Sequence, residues 1–327
     1  MEDGMKLRKI ALTALLCTSL TVGSAMAAKI EKPECVAPAK PGGGFDLTCR
    51  VAQIALKPQL SELMQVTFMP GGIGAVAINM FNTTRVDDPN SIVAFSSGSL
   101  LNMATGKYGE WNEKDVKFVA TAGADYGAVI VRNDSKFKTL ADVMEAFKAG
   151  EGSVVVGAGG SVGSQDWIKA ALLLKAVGKD PKKMRYVAFD GGGDAYAGLL
   201  GGSIEIYTGD VGEMAGHLGD GTVRILAVMS DNRLPEPFDK YPTAKELGYD
   251  VVWTILRGYY MGKKVDAEAY SSWVNAFKAA YGTADFTTIQ KEKGLLPLNL
   301  AGADLDAEVT KQMATLRAIA KESGLIQ

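Results

Sequence analysis

Three times along this chain a strand-like run gives way to a cluster of glycines and then to a helical pattern, and that repeated layout narrows the folds open to it. The first is Pro38-Ala39-Lys40-Pro41-Gly42-Gly43-Gly44-Phe45-Asp46-Leu47-Thr48, after Glu34–Ala37. The second is Gly157-Ala158-Gly159-Gly160-Ser161-Val162-Gly163-Ser164, between Ser153–Val156 and a helical Gln165–Val177. The third, Phe189-Asp190-Gly191-Gly192-Gly193-Asp194, follows Met184–Ala188 and precedes Ala195–Leu200. Glycine lets the backbone turn its N–H groups inward with no Cβ in the way, and a helix that starts there aims its positive dipole end at the same point. Asp46 and Thr48 fall where first-turn side chains cap such amides. One glycine run alone reads equally well as a plain flexible turn. Three of them suit a cleft that holds an anion from both walls.

Further strand-like runs at Gln65–Met69, Ser91–Phe95, Lys117–Ala122, Ala128–Val131, Ser203–Tyr207, Val223–Val228 and Val251–Leu256 alternate with helical stretches. This is the pattern of an α/β doubly wound sheet. The length exceeds what one hydrophobic core fills, which predicts two domains, residues 28–130 with 254–327 and residues 131–253. No Pro-rich or Ser-rich tether divides them, so the chain is expected to cross between them in strands. The last third is helical at Asp266–Tyr281, Asp285–Lys293 and Asp304–Ser323, with Leu305, Val309, Met313, Leu316 and Ile319 on one face. These helices are expected to pack back on the first domain.

The N-terminus reads as a cleavable export signal at residues 1–27. Lys6, Arg8 and Lys9 precede the apolar Ile10–Val22 and a small-x-small site at Ala25-Met26-Ala27. Export predicts a periplasmic protein. Its removal leaves 32 Lys and Arg against 35 Asp and Glu, a net charge of −3. No basic stripe interleaved with aromatics is present, so nucleic acid is not an expected partner. Cys35 lies on the first strand and Cys49 about one turn into the first helix, so they are either bridged across the first loop or two buried thiols.

Catalytic groups are scarce. The single histidine, His217, rules out a multi-histidine metal site, and neither a metal nor a cofactor is expected. Gly159-Gly160-Ser161-Val162-Gly163 fits the G-x-S-x-G elbow, with Asp190, Asp194 and Asp210 ahead of His217, so a secreted serine hydrolase using Ser161 is the alternative reading. The His-Gly-Gly oxyanion segment that should accompany it is absent. The same loop matches a dinucleotide fingerprint only with Val162 where the third glycine belongs. Arg257, after Val251–Leu256, is placed either to fork onto a ligand carboxylate or to form a salt bridge. Asp190 joins the candidates from the third loop.

The run from Pro38 to Asp46 resembles the first ligand loop of the periplasmic receptors of tripartite tricarboxylate transporters, the TctC or Bug family. The likeness continues through Pro70-Gly71-Gly72-Ile73-Gly74, Gly160–Ser164, Gly191–Asp194, Leu199–Gly202, Val223–Val228 and Tyr241–Gly248. It implies a two-domain periplasmic binding protein fold of type II, hinged by crossover strands. It also implies a monomer that closes on a carboxylate and delivers it to membrane permease subunits, and no enzyme. The family's ligand loops map to Gly43, Gly44, Phe45 and Asp46 on one side and to Gly160, Ser161, Val162 and Gly163 on the other. The family often has Trp at the position of Phe45. Lys40, Thr48 and Arg257 point to a tricarboxylate such as citrate.

Overall fold

The computed structural model describes residues 30–322 and 324–326, so the predicted export signal lies outside the described residues. Chain order first gives β1 (Glu34–Ala37), α1 (Gly44–Ala55), β2 (Gln65–Phe68), α2 (Ala75–Thr83), β3 (Ser91–Ser96), α3 (Ser97–Ala104) and β4 (Val116–Tyr126). Next come β5 (Ala128–Arg132), α4 (Leu140–Ala149), β6 (Val156–Gly159), α5 (Gln165–Ala176), β7 (Tyr186–Phe189), α6 (Gly192–Leu200), β8 (Ile206–Tyr207), α7 (Val211–Met214) and β9 (Val223–Val228). The chain returns with β10 (Thr254–Gly262), α8 (Ala267–Tyr281), α9 (Ala284–Glu292) and α10 (Ala303–Glu322).

Two sheets result, ordered β2-β1-β3-β10-β4 and β7-β6-β8-β5-β9. In the first, β2 and β3 run parallel to β1, and β10 is antiparallel to β3 and β4. The second repeats the scheme, with β7 and β8 parallel to β6 and β5 antiparallel to β8 and β9. Every residue of β3 is buried, which requires helices on both faces of the sheet. Helix α1 covers one face with Thr48, Val51, Ala52 and Ala55, the i, i+3, i+4, i+7 stripe of an amphipathic helix. As expected, the last helices return to the first sheet, α9 against α1 and α10 against α3 and β4.

The chain crosses between the sheets after β4 and again before β10, and the two crossings are hydrogen-bonded together. Gly127 N donates to Trp253 O at 3.0 Å, Met229 N to Gly127 O at 2.7 Å, and Trp253 N to Met229 O at 2.8 Å. This use of Trp253 explains a difference from the sequence reading. The returning strand begins at Thr254 rather than Val251, and Arg257 stands inside it rather than beyond it. A similar shift affects β6, which spans Val156–Gly159 and not Ser153–Val156. Gly157 and Gly159 have low strand propensity, yet a Cβ on Gly157 would lie 2.6 Å from Ile204 Cγ2, so close packing puts glycine in the strand itself.

Cys35 on β1 and Cys49 in α1 are joined by a disulfide, with Cα atoms 5.5 Å apart. The bridge ties both ends of the first glycine loop. In the chain-entropy account a loop of this size stabilises the fold by ~3 kcal/mol. Thiol titration of denatured, unreduced protein lacking residues 1–27 should find no free thiol, and Cys35→Ala/Cys49→Ala should lose stability of that order. Two titratable thiols would contradict the pairing.

Candidate functional site

Helices α1, α3, α5 and α6 each begin where a strand of a mostly parallel sheet ends, and their first residues face one cleft between the two sheets. Gly43–Phe45, Ser96 with Gly98, Ser164–Asp166, and Gly191 with Gly192 line an inner chamber of about 50 Å³. An outer chamber of about 390 Å³, lined by Gly72, Lys107, Gly160, Ser161 and Asp190 among others, shares Ile73, Asn102 and Ser164 with it. The first and third glycine loops meet backbone to backbone: a Cβ on Gly193 would stand 2.2 Å from Pro41 O. Lys40 Nζ bridges the same loops to Asp194 Oδ2 at 2.9 Å. Glycine at position 44 has a different cause, because a Cβ there would lie 2.1 Å from Arg257 Nη1.

Below the inner chamber lies a buried ionic network. Arg257 Nε donates to Asp125 Oδ2 at 2.8 Å and Nη2 to Asp210 Oδ2 at 2.7 Å. Fully buried Lys169 lies 2.8 Å from Asp166 Oδ1, donates to Gly209 O at 2.8 Å, and bonds Asp210 Oδ1. Glu213 accepts from Gly44 N at 2.7 Å, from Asp210 N at 3.3 Å and from the Tyr207 hydroxyl. Leu47 N makes the first bond back along α1, to Gly43 O at 3.0 Å, so Gly44 N is one of the helix's orphan amides, and a carboxylate 169 residues away caps it.

Four carboxylates thus face two cations. Burial, followed by the charges of Asp210 and Asp166, pushes the Glu213 carboxyl up to about 8. Burial in the first place also raises Asp166, to about 6, against the pull of Lys169. Burial works to lower Lys169 and Arg257, yet the surrounding carboxylates raise both above their ordinary values. Near neutral pH the network therefore balances part of its excess negative charge with a proton on Glu213.

The structure distributes the sequence candidates unevenly. Gly43, Gly44, Phe45 and Arg257 line the inner chamber, and Gly160, Ser161 and Asp190 the outer one. Asp46 lines neither: it accepts from Gly42 N at 2.9 Å and pairs with Arg50. Val162 is exposed, its carbonyl held by Lys107, and Gly163 packs beside Leu325. Of the two roles open to Arg257, its contacts are those of an ion pair. Thr48 does not cap an amide; its hydroxyl donates to Gly44 O at 2.7 Å. His217 stacks on Tyr196 with ring centroids 4.2 Å apart and lines neither chamber, so Ser161 has no histidine to activate it. Ser96, Gly98, Asn102, Lys107, Gln165, Asp166 and Glu213 were not among the sequence candidates. A Ser-Ser-Gly-Ser turn after a strand was the available signal for Ser96 and Gly98. Nothing local marks Glu213.

Comparison with known proteins places this geometry. The sequence profile of the tripartite tricarboxylate transporter family receptor matches residues 48–325. The UPF0065 protein in the gbd 5′ region of Cupriavidus necator is 25% identical over 241 residues, 73% of this chain and 71% of that protein. BugT of Bordetella pertussis is 27% identical over 221 residues, 65% of each chain. Among solved structures, the periplasmic binding protein BugD superposes with a TM-score of 0.79 at 20% identity, covering 90% of this chain and 97% of that one. MatC from Rhodopseudomonas palustris with bound malate gives 0.76 at 17% identity over 88% and 98%. An R. palustris protein with adipate gives 0.80 at 18% identity over 90% and 97%. At these identities the structural likeness establishes the two-domain binding-protein fold.

The network makes a pH prediction. An unfolded glutamate releases its proton near ~4.3, whereas folded Glu213 holds its own up to about 8. The folded state then binds more protons than the unfolded state across that window, and stability falls as pH rises through it. Glu213→Gln removes this titration, so the drop in denaturation midpoint between about pH 5 and about pH 8 should be smaller in the variant than in the wild type. An equal drop in both would contradict the protonated assignment.

Proposed function

The chain belongs to the tripartite tricarboxylate transporter family of receptors, and from that premise we propose that its cleft closes over an organic polycarboxylate, with citrate the first choice, for delivery to the transporter's permease subunits. The observation that carries this reading is the convergence of four helix N-termini on one cleft. Each offers orphan amides and the positive end of a dipole, so together they favour a ligand with more than one negative charge. In this reading Gly43 and Phe45 supply amides from one wall and Ser161 from the other; Gly44 and Gly160 already donate to Glu213 and to Phe189 O, and Asp46, Val162 and Gly163 line neither chamber. MatC with malate and the relative with adipate hold dicarboxylates, which supports the ligand class.

The three side chains that suggested a tricarboxylate from sequence carry less of the weight. Lys40 is paired with Asp194, Thr48 with a carbonyl, and Arg257 with two carboxylates. Polyanion recognition then falls to backbone amides and to Lys107 at the rim. The hinge is the bonded trio Gly127, Met229 and Trp253; it divides the chain at Gly127 rather than at the 130/131 boundary expected from sequence, because β5 (Ala128–Arg132) lies wholly in the second sheet, and it puts the return near Trp253 as expected. The mature receptor, exported on residues 1–27, works in the periplasm as a monomer.

A thermal-shift panel of organic acids tests the class. A bound acid at about 100 times its Kd should add ~2.7 kcal/mol, and citrate should rank with the strongest. Closure is tested by Gly193→Ala, whose Cβ would strike Pro41 O across the cleft. The substitution lies in the first turn of α6, where alanine suits a helix better than glycine, so the fold should hold. Affinity for the best acid should drop about tenfold or more, which is ~1.4 kcal/mol. Wild-type affinity in a folded Gly193→Ala protein would show that binding does not need these loops to meet.

A further inference from the structure

Two amide side chains of the cleft, Asn102 and Gln165, carry an oxygen with no hydrogen-bond partner among the described residues, and of the two Asn102 is the deeply buried one. Asn102 is 5% exposed, lines both chambers, and has no hydrogen-bond partner at Oδ1. Its orientation follows from its neighbours. The Ile73 carbonyl can only accept, so the Tyr108 hydroxyl gives its proton there, at 2.6 Å. The Tyr108 oxygen in turn accepts from Asn102 Nδ2 at 3.3 Å, which leaves Oδ1 as the open end of the amide. Ile73 is itself a β-branched residue held at φ 49° and ψ 56°, a left-handed conformation that such residues keep only where the surroundings fix it. The Tyr108 bond is part of that fixing, so Asn102 points from a rigid mount.

Lys107, on the loop after α3, reaches over the same chamber. Its Nζ donates to Val162 O at 2.8 Å and lies 3.4 Å from Ser161 Oγ, and it forms no salt bridge among the described residues. An ammonium has three donors, so one remains for a ligand. The chamber's acid, exposed Asp190, sits in the field of Lys40.

Building on the carboxylate-receptor reading, we propose that the outer chamber is a subsite for a hydroxy acid: one carboxylate pairs with Lys107, and the ligand's hydroxyl donates to Asn102 Oδ1. A fixed oxygen acceptor repels a carboxylate and, shut from water without a donor, is left unpaid for its lost hydration. A site built around such an atom therefore discriminates against the analogue that lacks the hydroxyl.

Calorimetry with two matched pairs, citrate against tricarballylate and malate against succinate, decides the matter. The wild type should prefer the hydroxy member of each pair at least tenfold. Asn102→Leu should bring that ratio close to one. Lys107→Gln, at an exposed rim position that does not threaten folding, should weaken all four acids tenfold or more while keeping the ratio. Equal wild-type binding within the pairs, an unchanged ratio in folded Asn102→Leu, or unchanged affinity in Lys107→Gln would overturn the subsite and leave the receptor reading standing. Failure of the wild type to bind any carboxylate would overturn both. The wild-type ratio needs no variant, so the test survives if Asn102→Leu does not fold.

Discussion

Two buried cations, three buried carboxylates and the half-buried Glu213 meet at the seam between the sheets, and much of the local sequence serves to keep them paired. Arg257 enters on β10, the strand by which the chain returns, and Asp125 on β4, the strand by which it leaves. Asp210 is the N-cap of α7 and Glu213 lies within that helix, and Lys169 projects from α5 in the second sheet's layer. Glycines make room for it: a Cβ on Gly44 would meet Arg257, and one on Gly127 would lie 2.7 Å from Lys169 Cδ. Removing a single partner from such a group leaves an uncompensated charge and costs ~3–5 kcal/mol, although well-packed apolar replacements can be neutral.

The same network reaches the binding cleft through Glu213. Its carboxyl belongs to the second sheet's half and caps the first amide of α1 in the other half. Under the proposed reading, a ligand carboxylate at that helix end would share the α1 amides with Glu213 and so would feel its protonation. The other ties across the cleft are light. Lys40 and Asp194 are partly exposed, a kind of pair worth ~0–1 kcal/mol, and Lys107 adds a bond to the Val162 carbonyl and a longer one to the Ser161 hydroxyl. Under the proposed hinge, ties this weak would leave opening and closing within reach of a ligand's differential affinity.

Much of this was legible in the sequence because it was local. Glycine between strand and helix marked three of the four turns that line the cleft, the i, i+3, i+4 stripe of Leu305, Val309 and Met313 marked the last helix, and Cys35 and Cys49 stood at the two ends of one loop. What was hidden depends on partners far apart in the chain. Arg257 was visible as a cation, but not the pairing of Trp253 with the other crossing that moves the strand onto it. Glu213 is one acid among 37 until folding brings it to Gly44. Asn102 looks like an ordinary helix residue, and only the chain of bonds from Ile73 through Tyr108 shows which end of its amide is open.

If the cleft works as proposed, one carboxylate is gripped by backbone amides from both sheets' halves at once. A crystal structure of the protein with the acid that most raises its melting temperature tests this directly. Carboxylate oxygens should lie within hydrogen-bond distance of amides at the start of α1 and in the loop before α5. An acid held by one wall alone, or lodged in the apolar cavity of about 430 Å³ lined by Leu234, Phe238 and Leu295, would contradict it.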